Sequence, residues 1–161
     1  MFYYFYETLI GRLQIFSDSE YITKISFFEK KLQGAIEKET PLIKKMYLEL
    51  EEYFAGKRKL FDVPVKPDGT SFQQSTWNAL LKIPYGETRS YKQIAEMIGK
   101  PAACRAVGMA NNRNPIPVVI PCHRVVGANG DLTGYAGGLE VKRKLLGLEK
   151  GVIPVFRVYQ E

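Results

Sequence analysis

The chain has 161 residues, of which 45% are hydrophobic and 25% are charged, and its formal net charge is +6; this is the composition of a globular protein and excludes a disordered tail. Its two cysteines and single histidine are too few for a disulfide scaffold or a four-ligand structural zinc site. Its apolar runs fall short of the roughly 20 residues of a membrane helix, and its first residues lack the basic segment of a signal peptide.

Aromatic and aliphatic residues are concentrated in three segments near the start of the chain, separated by polar breaks: residues 2–6, 12–17 and 21–28. This alternation predicts a short antiparallel meander. Thr40 and Pro41 are typical of a helix start, and apolar residues follow at helical spacing as far as Gly56, which is expected to end the helix. Residues 60–65, LFDVPV, predict one more strand.

The turn-rich stretch KPDGT, at 66–70, is the expected domain boundary. Residues 71–83 are expected to form a helix that ends before Pro84. Ser90 is expected to cap a second helix and Pro101 to open a third, with a glycine-containing turn between them. Two short helices joined in this way are a helix-turn-helix pattern, although many helical cores that do not bind DNA contain such pairs.

These elements predict an α+β protein. A small N-terminal α/β domain (1–65) with an antiparallel sheet is followed by a mostly helical C-terminal domain (71–161) with a winged-helix-like helix-turn-helix. Residues 1–65 carry ten basic and ten acidic side chains, whereas residues 66–161 carry 13 basic and seven acidic ones. A basic domain beside a neutral one indicates a polyanionic partner, most often nucleic acid; a merely basic surface fits equally well.

Small residues dominate the helix expected to begin at Pro101, and Arg105 is its only charged side chain. A helix that recognises bases in the major groove more usually displays Asn, Gln, Arg and Lys. The composition instead suits close contact with a nucleic-acid backbone or a narrow groove, plus one projecting arginine. A helix packed in a tight core, with Arg105 at the surface, is the alternative.

The segment NPIPVVIPCHRVVG, at 114–127, places Cys122 next to His123, the only histidine, in a short apolar run framed by prolines. Prolines restrict the backbone, and such a frame can hold a side chain in place. A free thiol is only about 3% thiolate at pH 7, so an imidazole within reach would activate it, and a carboxylate that orients the imidazole would complete a Cys-His-acid arrangement. An inert buried cysteine beside a satisfied histidine is the alternative.

The string PCHRV, preceded by RAVG and NP and followed by GYAGG, resembles the O6-alkylguanine-DNA alkyltransferases (methylated-DNA–protein-cysteine methyltransferases) over about residues 72–151. The resemblance implies a DNA repair protein that flips O6-alkylguanine out of duplex DNA. The O6-alkyl group would pass irreversibly to the cysteine of PCHRV, so that each molecule acts once. The expected partner is double-stranded DNA containing O6-alkylguanine. The protein is expected to be a cytoplasmic monomer, nucleoid-associated when bound to DNA, with no metal, cofactor or membrane contact.

The resemblance implies roles for particular residues around the cysteine. Cys122 would be the nucleophile, His123 its base through a bridging water, and Glu149 the carboxylate that orients His123. Asn114 would brace the turn between the helix expected to begin at Pro101 and the segment that carries Cys122. Cys104 matches no reactive motif and is expected to be a packing residue.

The resemblance also assigns a DNA-contacting group. Tyr91 would press on the 3′ phosphate during flipping and help to protonate guanine N3. Arg105 would be the finger that fills the vacated position in the base stack. Lys92 and Ala106 are expected beside them at the DNA surface.

The remaining residues that the resemblance assigns form the substrate pocket. Tyr135 would form one wall, and the backbone carbonyls of Cys122 and Val125 would read the Watson–Crick edge of guanine. Lys142 matches a lysine near the pocket in relatives. Ala136 stands where some relatives have a serine whose hydroxyl approaches O6, so that hydrogen bond is missing here.

Three alternative functions fit parts of the sequence less well. A non-enzymatic lesion-binding protein of the alkyltransferase-like kind replaces the reactive cysteine, which is present here as Cys122. A helix-turn-helix transcription factor does not account for a Cys-His pair directly after the DNA-binding helices. A cysteine hydrolase has no further matching signature in the chain.

Overall fold

A computed structural model describes residues 1–152; residues 153–161, which the sequence analysis assigned to the C-terminal domain, lie outside the described residues. The described part divides into two compact units, Met1–Pro67 and Asp68–Val152. The first contains a sheet and one helix, and the second contains four helices and a short strand pair. The predicted α+β class is confirmed.

The sheet of the first unit has the order β3-β2-β1-β4. Its strands are β1 (Phe2–Thr8), β2 (Gly11–Ser17), β3 (Ile22–Ser26) and β4 (Ile36–Glu37). The first three form the predicted antiparallel meander. The two-residue β4, which the sequence analysis missed, pairs parallel to β1.

The strand predicted at 60–65 is wrong. Val65 makes only an isolated bridge to Ile22. The backbone N–H groups of Asp62 and Val63 donate instead to the buried carboxylate of Glu49, at 2.9 and 3.2 Å. The N–H groups of Asp62 and Val63 are therefore not available for a strand ladder.

The helix of the first unit is α1 (Pro41–Phe54). It begins where the sequence predicts, because the Thr40 side chain accepts a hydrogen bond from the backbone N–H of Ile43. Gly56 follows the helix with a φ of +75°, a left-handed conformation that glycine adopts at little cost. The apolar stripe of α1 is buried in the first unit, where the helix contacts β1, β2 and β3.

The second unit is built from α2 (Ser71–Leu80), α3 (Tyr91–Met97), α4 (Cys104–Asn112) and α5 (Leu139–Glu149). Capping boxes start α2 and α3. The indole Nε1–H of buried Trp77, on α2, donates to the carbonyl of Ala110, on α4, at 2.9 Å. The unit therefore has a helical core that fixes α4.

Two helix boundaries in this unit differ from the sequence predictions. The helix expected over 71–83 ends at Leu80, and Leu81 is half exposed, at 50%. The helix expected to open at Pro101 starts at Cys104, because the N–H of Ala103 closes a turn onto the carbonyl of Lys100 at 2.9 Å.

A parallel strand pair brings two distant segments of the second unit together. β5 (Arg89–Ser90) pairs with β6 (Val125–Val126), so that Ser90 lies beside Val126. Tyr91 follows β5 directly, and a single 3-10 turn, Cys122–Arg124, precedes β6. The start of α3 is therefore held next to the segment that carries the predicted nucleophile.

Within residues 1–152, no helix combines the length and apolar character needed to cross a membrane.

Candidate active site

Cys122 opens the 3-10 turn and is 5% exposed. Its backbone N–H donates to the carbonyl of Ile120 at 2.8 Å. Four residues earlier, the buried Val118 has a φ of +73°, a left-handed conformation that is strongly disfavoured for a β-branched side chain. Strained backbone of this kind is found at functional sites, where the surrounding structure enforces it.

Asn114 is the side chain that holds this backbone in place. Its Nδ2 donates to the carbonyl of Ile120 at 2.7 Å, and its Oδ1 accepts from the N–H of Ile116 at 2.9 Å. The amide thus joins the end of α4 to the residues just before Cys122. The amide also lowers the pKa of the Cys122 thiol, against the larger opposite effect of burial.

His123 and Glu149 are in direct contact. Nε2 of His123 lies 2.7 Å from Oε2 of Glu149, and both side chains are buried, at 0% and 1% exposure. An ionised carboxylate can only accept, so Nε2 carries the hydrogen and Nδ1 carries a lone pair. Nδ1 is buried and has no hydrogen-bond partner among the described residues.

A buried ion pair holds Glu149 in its charged state. Arg124 donates from Nε to Oε1 at 2.8 Å and from Nη2 to Oε2 at 3.0 Å, and the N–H of Gly86 donates to Oε1 at 3.2 Å. Burial alone would raise the pKa of this carboxyl, but the hydrogen bonds from His123 and Arg124 hold it well below its ordinary value. Nη1 of Arg124 also donates to the carbonyl of Ile83 at 2.8 Å.

Burial shifts the pKa values of the adjacent residues Cys122 and His123 in opposite directions. It raises the pKa of the Cys122 thiol to about 11, despite the opposing effects of Asn114 and of the Lys142 charge. It lowers the pKa of His123, although Glu149 opposes the shift. At neutral pH the pair is therefore a protonated thiol and a neutral imidazole, which is a base ready to accept a proton.

Lys142, on α5, is fully buried and hydrogen bonds with two other parts of the site. Its Nζ donates to the carbonyl of Val125 at 2.7 Å and to the carbonyl of Thr133 at 3.1 Å. Its charge favours the Cys122 thiolate, although burial lowers the pKa of the lysine itself. These hydrogen bonds connect the loop from Gly127 to Gly138, called the pocket loop below, to the segment that carries Cys122.

The other residues predicted for the pocket lie on this loop. Tyr135 is half-buried, and burial raises the pKa of its hydroxyl, with further contributions from the Glu149 carboxylate and from Cys122 when it is ionised. Ala136, the next residue, is exposed. The structure therefore places Tyr135 near Cys122 and Glu149.

The residues predicted to contact DNA form a separate group on α3 and α4. Lys92, Arg105 and Ala106 are exposed, and Tyr91 is half-buried. The Tyr91 hydroxyl hydrogen bonds with the Oγ1 of Thr133, which connects this group to the pocket loop. Cys104, at the start of α4, is half-buried.

Two residues of the site were not predicted from the sequence. Arg124 fixes the charge of Glu149, and its signal was present, because it follows His123 within PCHRV and a buried arginine needs a carboxylate partner. Thr133 links Tyr91 to the loop, and nothing in its sequence context distinguishes it. Within residues 1–152, no group of three or more His, Cys, Asp or Glu side chains is placed to hold a metal ion.

Two family models match the chain. Residues 71–151 match the DNA-binding domain of 6-O-methylguanine DNA methyltransferase, and residues 1–67 match the ribonuclease-like domain of the same family. The methylated-DNA–protein-cysteine methyltransferase of Methanosarcina acetivorans is 51% identical, over 92% of this chain and 98% of its own. The constitutive enzyme of Bacillus subtilis is 46% identical, over 89% of this chain and 92% of its own. Among solved structures, that of Mycobacterium tuberculosis OGT in complex with DNA matches this chain with a TM-score of 0.90 and a sequence identity of 43%. The match covers 100% of both chains.

Proposed function

The chain belongs to the 6-O-methylguanine DNA methyltransferase family, and we propose that it flips O6-alkylguanine out of duplex DNA and transfers the alkyl group stoichiometrically to Cys122. It is a DNA repair enzyme of the methylated-DNA–protein-cysteine S-methyltransferase class, and its partner is DNA. The observation that carries the proposal is the buried Cys122–His123–Glu149 group, in which His123 Nδ1 keeps a lone pair.

The first step is the removal of the thiol proton. His123 is neutral, and its Nδ1 accepts the proton of Cys122 through a bridging water. Glu149 stabilises the resulting imidazolium, because its carboxylate lies 2.7 Å from Nε2. The pKa of about 11 keeps the thiol protonated in the free protein, so the thiolate forms only when His123 accepts the thiol proton.

The second step is an in-line displacement at the alkyl carbon. The sulfur–carbon bond forms while the bond from that carbon to O6 breaks, and the bonding electrons pass to the guanine. Tyr91 gives a proton to N3 of the departing base, which restores neutral guanine. The Tyr91 phenolate then takes up a proton from solvent, and the His123 imidazolium releases one, so the protons balance. The product thioether has no route back to a thiol, so one chain repairs one base.

Backbone carbonyls recognise the flipped base. The carbonyls of Cys122 and Val125 accept from the donor edge of guanine. Lys142 occupies one acceptor position of Val125, and a carbonyl oxygen has a second lone pair for the base. Tyr135 packs against the ring as a pocket wall, and the absence of a hydroxyl at Ala136 leaves O6 without a donor from that position.

Exposed residues of α3 and α4 bind the DNA. Residues 66–161 carry the entire net charge of +6, which provides a sequence-independent attraction to phosphates. Arg105 enters the base stack at the position that the flipped nucleotide leaves, and the small, exposed Ala106 allows close approach of the helix. Lys92 contacts the backbone beside them.

The stoichiometry of repair tests this function. Increasing amounts of duplex DNA containing O6-methylguanine are incubated with a fixed amount of protein, and the restored guanine is counted. We expect a burst that stops at one guanine per chain. Continued turnover beyond one equivalent, or the absence of restored guanine, would contradict the proposal. Weakening of DNA binding with added salt is a second expectation, because phosphate contacts release counterions.

A further inference from the structure

Thr133 occupies a junction between the DNA-contacting group and the pocket loop. Its hydroxyl hydrogen bonds with the hydroxyl of Tyr91. Its backbone carbonyl accepts from the buried Nζ of Lys142 at 3.1 Å, and the same Nζ donates to the carbonyl of Val125 at 2.7 Å. One residue thus connects Tyr91, through a buried lysine, to the segment that carries the nucleophile.

The backbone of Tyr91 is fixed independently of Thr133. The residue opens α3 immediately after β5, and the capping box of Ser90 and Gln93 holds that end of the helix. Its ring packs beside Gly108 of α4, where an added Cβ would lie 3.8 Å from the ring. The phenol oxygen lies at the far end of the side chain, where Thr133 supplies a hydrogen bond.

We propose that Thr133 is a positioning residue whose hydroxyl donates to the phenol oxygen of Tyr91 and leaves the phenol proton free for the flipped nucleotide. A phenol oxygen can accept one hydrogen bond while its own O–H donates another. The hydrogen bond from Thr133 therefore leaves the phenol proton of Tyr91 available for the nucleotide. Hydrogen bonds in a chain polarise one another, which makes the Tyr91 proton a better donor. The inference rests on the proposed function, because Tyr91 acts there on the nucleotide.

The opposite arrangement predicts a different result. If Tyr91 donated to Thr133, its proton would be occupied in the free protein and would have to be released before reaction. Thr133 would then slow the transfer, and its removal would speed it. The sign of the effect of removing the hydroxyl therefore separates the two arrangements.

The test is a double-mutant cycle measured as the single-turnover rate of alkyl transfer from duplex DNA containing O6-methylguanine. We expect Thr133→Val to slow the transfer about fivefold, the factor that corresponds to one neutral hydrogen bond. Thr133→Ser keeps the hydroxyl and is expected to react at the wild-type rate. In a Tyr91→Phe background, the phenol is absent and Thr133→Val is expected to have no further effect. Thr133→Ala is a second variant in case valine disturbs the loop.

The outcomes distinguish this inference from the proposed function. An equal loss from Thr133→Val with and without the Tyr91 hydroxyl would mean that Thr133 acts only on the loop, and the inference would be overturned. A Thr133→Val or Thr133→Ala variant that reacts at or above the wild-type rate would also overturn it. Failure of the wild-type protein to acquire an alkyl group would instead overturn the proposed function.

Discussion

The carboxylate of Glu149 lies 2.7 Å from Nε2 of His123, in a site where both side chains are buried. Arg124 holds the same carboxylate with two further hydrogen bonds. This arrangement fixes the tautomer of His123 and leaves Nδ1 as the basic atom. Glu149 thus has a structural role toward Arg124 and an electrostatic role toward His123.

Replacing Glu149 with Gln is expected to lower the free energy of unfolding by about 3 kcal/mol, because the buried Arg124 loses its counter-ion. The measurement is denaturant unfolding at neutral pH. Glu140→Gln is the matched control, since Glu140 lies on the same helix and pairs with Arg143 at an exposed site; such a pair contributes about 0–1 kcal/mol. Equal effects of the two substitutions would contradict the assigned role of the buried pair.

Acid stability gives a second test of Glu149. Its pKa is lower in the folded protein than its ordinary value of 4.5, so ionised Glu149 stabilises the fold above pH 4.5 and this contribution is lost as the pH falls below that value. Unfolding free energies measured from pH 6 to about pH 3 are expected to fall less steeply for Glu149→Gln than for the wild type. Parallel curves would show that the carboxylate is not stabilised by folding.

His123→Gln is expected to slow alkyl transfer by about 100-fold or more at pH 7, since the side chain can no longer accept the thiol proton. Without a base, the variant should react only through the fraction of Cys122 that is already ionised. Its rate should therefore increase with pH toward the Cys122 pKa of about 11. The wild-type rate should be nearly independent of pH around neutrality, because burial lowers the pKa of His123 and keeps the imidazole neutral. Single-turnover rates over this pH range make the comparison. A variant with the rate and pH profile of the wild type would exclude His123 as the base.

Much of the architecture follows from local sequence signals. Thr40 and Ser90 each accept a hydrogen bond from the backbone N–H three residues later, and such caps can be recognised from sequence alone. The strand predicted at 60–65 failed because Glu49, distant in sequence, takes its backbone donors. Propensity cannot anticipate a competitor of this kind.

The site shows the same division between local and distant information. Cys122 and His123 are adjacent, and the resemblance of PCHRV to a known family identified them. Glu149 lies 26 residues from His123, and no spacing in the sequence predicts that contact; only the resemblance pointed to it. The contact between Tyr91 and Thr133 spans 42 residues, and it depends on the pairing of β5 with β6, which no local sequence signal predicts.

Asn114→Ala is expected to destabilise the fold by about 3 kcal/mol, since it leaves the buried carbonyl of Ile120 and the N–H of Ile116 without partners. It should also raise the Cys122 pKa further, because Asn114 opposes the effect of burial on that pKa. Reaction of the thiol with iodoacetamide at pH 8–9, a range about two to three pH units below that pKa, measures this effect in a Cys104→Ser background. The exposed neighbour Asn112 provides the control Asn112→Ala, and equal reactivity in both variants would contradict the role of Asn114.

Arg105→Ala is expected to slow transfer from duplex DNA by about tenfold or more, because flipping a base costs a few kcal/mol and the proposed finger would stabilise the flipped state. Transfer from free O6-benzylguanine should change little, since no base has to be flipped. Arg143→Ala removes the same charge from an exposed position on α5 and serves as the control. Equal losses with the two substrates would reject the assignment of Arg105 as the finger.

The mass of the protein after reaction with duplex DNA containing O6-methylguanine tests the central claim most directly. The account predicts that the wild-type chain gains one methyl group, that peptide mapping places it on Cys122, and that Cys122→Ala gains none. A wild-type chain without an adduct, or an equal adduct on Cys122→Ala, would contradict the account.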